Sequence, residues 1–171
     1  MRTHPFLMAG LLLGAVAIQA GDAQSGRAID AKAAYARLKA LAGEWKSDGD
    51  NGQERLSYQV IADGTAVVER DTAGQRPEML TVYHLDGGRL LLTHYCMAGN
   101  QPRMQAQRFD PETGELEFQF VDATNLANPA AGHMHAVRLR FVDNEHLDSV
   151  WQFYENGRPK MTETSRFTRV R

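Results

Sequence analysis

Cysteine is nearly absent from this sequence, since Cys96 is the only one among 171 residues. A chain with a single thiol forms no internal disulfide, so its stability must come from packing. A lone cysteine most often behaves as a small buried hydrophobe. A reactive or ligating thiol is the alternative, but nothing in the sequence indicates a lowered pKa.

An excess of charge of one sign is also lacking. The chain has 19 Lys and Arg against 21 Asp and Glu, and its formal net charge is −2. Basic residues are interspersed among acidic ones and form no run or stripe. The sequence therefore lacks the electrostatic footprint of a nucleic-acid-binding protein, and we predict no nucleic-acid partner.

Long apolar runs are missing except near the start of the chain. Arg2 and His4 precede the charge-free run Pro5–Ile18, and small residues follow it. This is the layout of a secretory signal peptide, and the run is too short to span a bilayer. We predict cleavage after Ala23, with Ala20 as the alternative site. No cysteine lies directly after the run, which argues against a lipid anchor.

These features predict a signal peptide over residues 1–23 and a single domain over residues 24–171 without a membrane span. The expected location is outside the cytoplasm, either periplasmic or extracellular.

One segment is typical of a helix. Residues 28–43 read AIDAKAAYARLKALAG, which is rich in strong helix formers. Asp30 is a suitable N-cap and Gly43 a suitable stop. Apolar residues recur near helical spacing, so the segment predicts one amphipathic helix.

The rest of the sequence reads as about ten short alternating runs separated by turn residues. The clearest hairpin has Leu80–Leu85 and Arg89–Cys96 on either side of Asp86-Gly87-Gly88. The short spacing between strands predicts an all-β, antiparallel, up-and-down barrel of about eight to ten strands, with the helix across one end.

Candidate ligand-binding residues begin on the second strand of that hairpin. With a side-chain period of two, Leu90, Leu92, His94 and Cys96 share one face. A face that is apolar at one end and polar at the other suits a strand that enters a cavity from a packed end. We therefore predict that His94 and Cys96 line the cavity.

The segment after this strand supplies further candidates, Asn100, Gln101, Arg103 and Met104. The two amides and the guanidinium could orient a ligand, and methionine suits an adaptable apolar pocket. Arg103 could pair with an anionic head group. Alternatively, it is a strand-edge residue that pairs with an Asp or Glu.

His133 and His135 form the third group. At positions i and i+2 of an extended segment they point the same way, and the alternation predicts that they share a face with Val137, Leu139 and Phe141. If that face is the interior, both imidazoles join His94 in the barrel. Two or three histidines could hold zinc or copper, or one could be the axial ligand of a haem. The alternative is a set of hydrogen-bonded polar rim residues.

Two parts of the sequence resemble known proteins. A helix followed by Leu41-Ala-Gly43-Glu-Trp45 resembles the lipocalin and fatty-acid-binding-protein superfamily, the calycins. There, a Gly-x-Trp element on the first strand closes one end of the barrel. The segments THYCMAGNQPRM (Thr93–Met104), VDATNL (Val121–Leu126) and GHMH (Gly132–His135) resemble a group of uncharacterised secreted bacterial proteins of calycin-like architecture. The resemblance implies a fold and an export route, and no activity.

Three functions stay open at this point. The first is an exported barrel that binds a small, mostly apolar ligand. The second is a metal- or haem-binding barrel that uses His133, His135 and His94, with or without enzymatic activity. The third is a filled barrel that serves as a structural or interaction domain. The sequence contains no nucleophile elbow, phosphate loop or zincin helix, so a non-catalytic role without a cofactor is the favoured interpretation.

Overall fold

The structure is a computed structural model that describes residues 29–49 and 53–171. The predicted signal peptide, residues 1–23, lies outside the described residues. The described part contains the helix α1 (Ala31–Ala40), a short 3-10 turn at Ala62–Gly64 and ten strands. The strands are β1 (Gly43–Ser47), β2 (Glu54–Ile61), β3 (Ala66–Ala73), β4 (Met79–Asp86), β5 (Arg89–Tyr95), β6 (Gln101–Asp110), β7 (Glu115–Thr124), β8 (His133–Phe141), β9 (His146–Glu155) and β10 (Arg158–Arg169).

The strands form a closed antiparallel barrel. Each strand pairs with the next one along the chain, and β10 pairs with β1 to complete the circle. The tight connections follow from the local sequence. For example, Asn156 and Gly157 both have positive φ, 55° and 71°, which is the conformation required by the hairpin turn between β9 and β10. The predicted all-β, up-and-down barrel is confirmed.

Helix α1 packs across one end of this barrel. It starts at the predicted cap, where the Asp30 carboxylate accepts a hydrogen bond from the Ala33 N–H at 2.9 Å. Its buried face includes Ala34 and Leu38, which belong to the same core cluster as the inward side chains of the strands. Burying this apolar stripe stabilises the helix against the barrel.

Trp45 on β1 connects the end of the helix to the sheet through its side chain. Its indole N–H donates to the Leu41 carbonyl at 2.8 Å, and the Arg169 guanidinium lies 4.2 Å from its ring centroid. The Tyr35 hydroxyl donates to the carbonyl of Gly64, in the turn after β2, and the Arg37 guanidinium donates to that of Phe141, the last residue of β8. The barrel is therefore closed where these strands end.

Large side chains fill the core of the barrel. The largest fully buried ones include Trp45, Tyr83, Phe118 and Phe167. None of the helices within residues 29–49 and 53–171 has both the length and the apolarity needed to cross a membrane.

Strands β6 and β7 are long and irregularly paired. β7 continues to Thr124, and β6 already begins at Gln101, so Gln101 and Pro102 are strand residues. The register of the pairing between β6 and β7 shifts twice, between Arg103 and Met104 and between Ala106 and Arg108. A further register shift interrupts the pairing of β8 with β9 between Met134 and Ala136. Such bulges change which face a side chain occupies.

Candidate functional site at the open end of the barrel

A cavity of about 620 Å³ lies at the end of the barrel opposite the helix, and we call it the mouth cavity. Its walls come from the start of β4, β8 and β10 and from the loop after β5. The volume is within the range of small-molecule sites. The apolar lining is provided by Met79, Cys96, Met97, Met134, Phe153 and Met161.

Two of these methionines are unusually exposed. The exposed fractions of Met97 and Met161 are 58% and 50%. Together with the deeper Met79 and Met134 they present a continuous, flexible apolar surface at the entrance. Thioether side chains adapt to ligands of different shape. Exposed apolar surface concentrated in a concave region is typical of a binding site.

Charged groups lie beneath this apolar entrance. Nη2 of Arg76 donates to both carboxylate oxygens of Asp71, at 2.6 and 2.7 Å. The same guanidinium is 3.7 Å from a Glu54 oxygen and 3.6 Å from a Glu163 oxygen. Three carboxylates therefore surround one guanidinium. We call Glu54, Asp71 and Glu163, together with Arg76, the polar floor.

A smaller space of about 20 Å³ adjoins the polar floor inside the barrel, which is room for about one water molecule. Glu54, Asp71 and Glu163 line it, and Met79, Met134 and Glu163 line both spaces. The mouth cavity and the inner space are therefore neighbours that share these three side chains as walls.

The carboxylates near this space are poorly solvated. Burial is the main cause that raises the pKa of Asp71 to about 6, against the opposing effect of Arg76. Burial likewise raises the pKa of Glu69 to about 7, although Glu69 accepts a hydrogen bond from the Tyr83 hydroxyl at 2.6 Å. Both shifts come mainly from the loss of solvent around the carboxylates, and neighbouring carboxylates contribute less.

Among the described residues, Nε2 of His94 is buried beside the inner space without a hydrogen-bond partner. The Tyr58 hydroxyl is also buried there and interacts with the Glu69 carboxylate, but no bond of ordinary geometry satisfies it. In the polar floor, the Nε–H of Arg76 likewise lacks an acceptor. The side chains of Tyr58 and His94 line the inner space and are almost fully buried. Since a buried polar atom without a partner costs about 1–3 kcal/mol, these two side chains indicate that a polar group belongs between them.

His94 is held as a neutral imidazole. Its Nδ1 lies 3.0 Å from the Thr81 hydroxyl, and its ring packs against Trp151 with centroids 4.8 Å apart. Burial, and then the charge of Arg76, lower its pKa to about 4. The predicted inward face of β5 is thus what the structure shows, with Leu90, Leu92 and His94 inside and Cys96 in the mouth cavity.

Cys96 is half-buried in the wall of the mouth cavity. Burial raises the pKa of its thiol, and the Ala98 N–H, 3.5 Å from its sulfur, opposes this only in part. The thiol is therefore protonated at neutral pH and acts as an apolar wall residue.

Four other candidates from the same region lie apart from the cavity lining. Arg103 is exposed and pairs with Asp122, which matches the strand-edge alternative rather than the ligand-binding one. Asn100 donates to the Gly132 carbonyl at 2.8 Å, and Gln101 accepts from the Thr124 hydroxyl at 2.7 Å. Met104 is fully buried in the core.

His133 and His135 occupy a different environment from His94. On β8, Met134 pairs with Phe153, and both line the mouth cavity, whereas His133 pairs with Tyr154. The register shift after Met134 changes the alternation, so the two histidines do not share the inward face of Val137, Leu139 and Phe141. The expectation that they look into the barrel is wrong for this reason.

The two imidazoles form a compact aromatic cluster instead. Nε2 of His133 is 3.0 Å from Nδ1 of His135, and the His135 ring stacks on Tyr154 with centroids 4.0 Å apart. Phe120 packs against both histidines. Within residues 29–49 and 53–171, no three His, Cys, Asp or Glu side chains are grouped as a metal site would require. The structure does not bring His94 to this pair.

Sequence reasoning missed the polar floor. A signal was present on β3, where Glu69 and Asp71 follow Val67 at two-residue spacing and therefore share its inward face. On β2, Glu54 lies two residues before the buried Leu56, and on β10, Glu163 lies four residues before the buried Phe167, so each shares the face of that residue. Arg76 lies in the loop between β3 and β4, and its inward position depends on the closed barrel.

Comparison with known proteins identifies the fold. No protein-family model matches the sequence, and no curated protein matches it either. Among solved structures, the crystal structure of Rv2717c from M. tuberculosis is similar, with a TM-score of 0.52 and 15% sequence identity. The match covers 81% of this chain and 98% of that chain. At this level of identity the likeness shows a shared β-barrel fold.

Proposed function

We propose that this protein binds a small, largely apolar ligand in the mouth cavity. The observation that carries the proposal is the cavity of about 620 Å³ with four methionines and Phe153 in its walls. Buried side chains fill the barrel interior beside α1, so the ligand enters from the opposite end. Transfer of its apolar surface from water onto the methionines drives binding.

The contrast between the two ends of the barrel favours a binding function over a structural role for a fully filled barrel. Large side chains pack the core beneath the helix, while the open end keeps two exposed methionines beside an empty concave space. A purely structural barrel gains nothing from exposing these side chains to water.

A titration with the neutral, apolar dye Nile red tests the proposal. We expect saturable binding with a blue-shifted emission, and a loss of at least about tenfold in affinity for Met161→Asp, because a charge at the entrance opposes apolar contact. Val121→Asp is the matched control, since Val121 is equally exposed, 54%, but does not line the cavity. Equal dye affinity of the two variants would refute the proposal.

We also propose that the protein is related to the calycins. Trp45 supports this relationship, since it closes the helical end of the barrel as the resemblance implies.

We further propose that the protein is exported. Mass determination of the protein recovered from its own host tests export. A chain that begins at Gln24 is expected, and an intact Met1 in the cell interior would exclude export.

A further inference from the structure

We infer that the ligand carries a primary ammonium group, which enters the inner space and binds at the polar floor. This inference rests on the proposed binding function and adds the chemical class of the ligand. It depends on charge, on incompletely hydrogen-bonded polar atoms and on size, three features that are independent of the apolar entrance.

Charge favours a cation. At the polar floor, the carboxylates of Glu54, Asp71 and Glu163 surround the guanidinium of Arg76, at 3.7, 2.6 and 3.6 Å. Glu69 lies along the same wall, but its pKa of about 7 leaves it only partly ionised at neutral pH. An anionic head group would add to this negative charge, whereas an ammonium ion completes its neutralisation.

Hydrogen bonding favours an ammonium over a hydroxyl. An ammonium group donates three hydrogen bonds and accepts none. The Tyr58 hydroxyl oxygen can accept one, and Nε2 of His94 can accept another when Nδ1–H donates to the Thr81 hydroxyl. A carboxylate of the polar floor accepts the third. A ligand hydroxyl has a single donor and leaves part of this set unpaired.

Size favours a primary amine. The inner space of about 20 Å³ accepts a group as large as a water molecule, and an ammonium group is of that size. A trimethylammonium group is several times larger and stays outside. The alkyl part of the ligand then remains among the methionines of the mouth cavity, which shares Met79 and Met134 with the inner space.

Isothermal titration calorimetry with four probes of equal chain length tests this inference. The probes are octylamine, octanol, octanoate and octyltrimethylammonium. We expect octylamine to bind at least about tenfold more tightly than the other three, as one charge-assisted hydrogen-bond network would provide. Affinities that agree within about threefold would overturn the ammonium inference and leave apolar binding in place. Absence of binding by all four would overturn both proposals.

Two variants locate the ammonium group. Glu163→Gln removes one negative charge from the polar floor and should weaken octylamine binding about tenfold, with octanol binding unchanged. Glu112→Gln, on an exposed turn, is the control of equal charge change. Tyr58→Phe removes one hydroxyl beside the inner space without changing the charge of the polar floor, and it should weaken octylamine binding. Octylamine affinity unchanged in both Glu163→Gln and Tyr58→Phe would overturn the inference.

Discussion

At the scale of single residues, the strongest consequence of the structure is the burial of ionisable groups in the barrel. The pKa of Glu69 is about 7 in the folded protein, above its ordinary value of 4.5. Between these values the folded state holds a proton that the unfolded state has released, so the free energy of unfolding falls as the pH rises from about 4.5 to 7.

His94 has the opposite effect. Its pKa is about 4 in the folded protein against an ordinary value of 6.5, so the unfolded state takes up a proton first as the pH falls. Its contribution to stability is present above pH 6.5 and is lost as the pH falls to about 4. The two effects offset each other in the native protein, and only a variant separates them.

Glu69→Gln is expected to separate them. The amide oxygen keeps the hydrogen bond from the Tyr83 hydroxyl, but the ionisation is gone. Relative to the native protein, the variant should gain about 2–3 kcal/mol of unfolding free energy between pH 5 and pH 7. Urea denaturation at several pH values measures this difference. Glu112→Gln should follow the native profile, and a Glu69→Gln profile parallel to the native one would contradict the assigned burial of the charge.

The histidine pair leads to a second expectation at this scale. Replacing both His133 and His135 by Ala removes the stacking on Tyr154 and the contacts with Phe120. We expect a loss of about 2–3 kcal/mol in unfolding free energy. Octylamine affinity should not change, because neither histidine lines the mouth cavity or the inner space.

Elemental analysis completes that comparison. Protein purified without chelator should carry the same metal content before and after the double substitution. A stoichiometric metal lost in the variant would show that the pair is a metal site rather than a hydrogen-bonded structural cluster.

At the scale of elements, the helix and strands follow local sequence patterns closely. The helix was predictable because its cap, Asp30, and its alanine-rich stretch act locally. The hairpin turns that contain Gly87 and Gly157 were predictable because glycine readily adopts the positive φ that such turns require. The position of His94 was predictable for the same reason, since β5 keeps a regular period of two.

The bulge in β8 was not predictable in this way. The register shift between Met134 and Ala136 arises from pairing with β9, not from a glycine or proline in the segment HMHA. One extra residue moves His133 and His135 away from the inward face. The location of Arg76 was hidden for a related reason, because only closure of the barrel brings it to Glu54 and Glu163.

Asp30→Ala tests the helix as an element. Loss of the bond from the Ala33 N–H should cost about 1 kcal/mol of unfolding free energy. Lys32→Ala, at an exposed position on the same helix, should be nearly neutral. Nile red affinity should be unchanged in both variants, since the helix closes the opposite end. A large loss of dye binding in Asp30→Ala would show that the helix takes part in the site.

At the scale of the whole molecule, one end of the barrel provides stability and the other provides the site. The helix, Trp45 and the large core side chains make the closed end independent of disulfides. This arrangement leaves the open end free to keep exposed methionines and a polar floor that a well-packed core would not tolerate.

The most direct test of the central claim uses the one cysteine. Cys96 lies in the wall of the mouth cavity, so a ligand that fills the cavity must cover it. The measurement is the rate of Cys96 alkylation by iodoacetamide, with and without saturation by whichever octyl probe binds most tightly. We expect bound ligand to slow the reaction at least about tenfold, with no protection in Met161→Asp at the same probe concentration. An alkylation rate that is unchanged at saturation would place the ligand elsewhere and contradict the account.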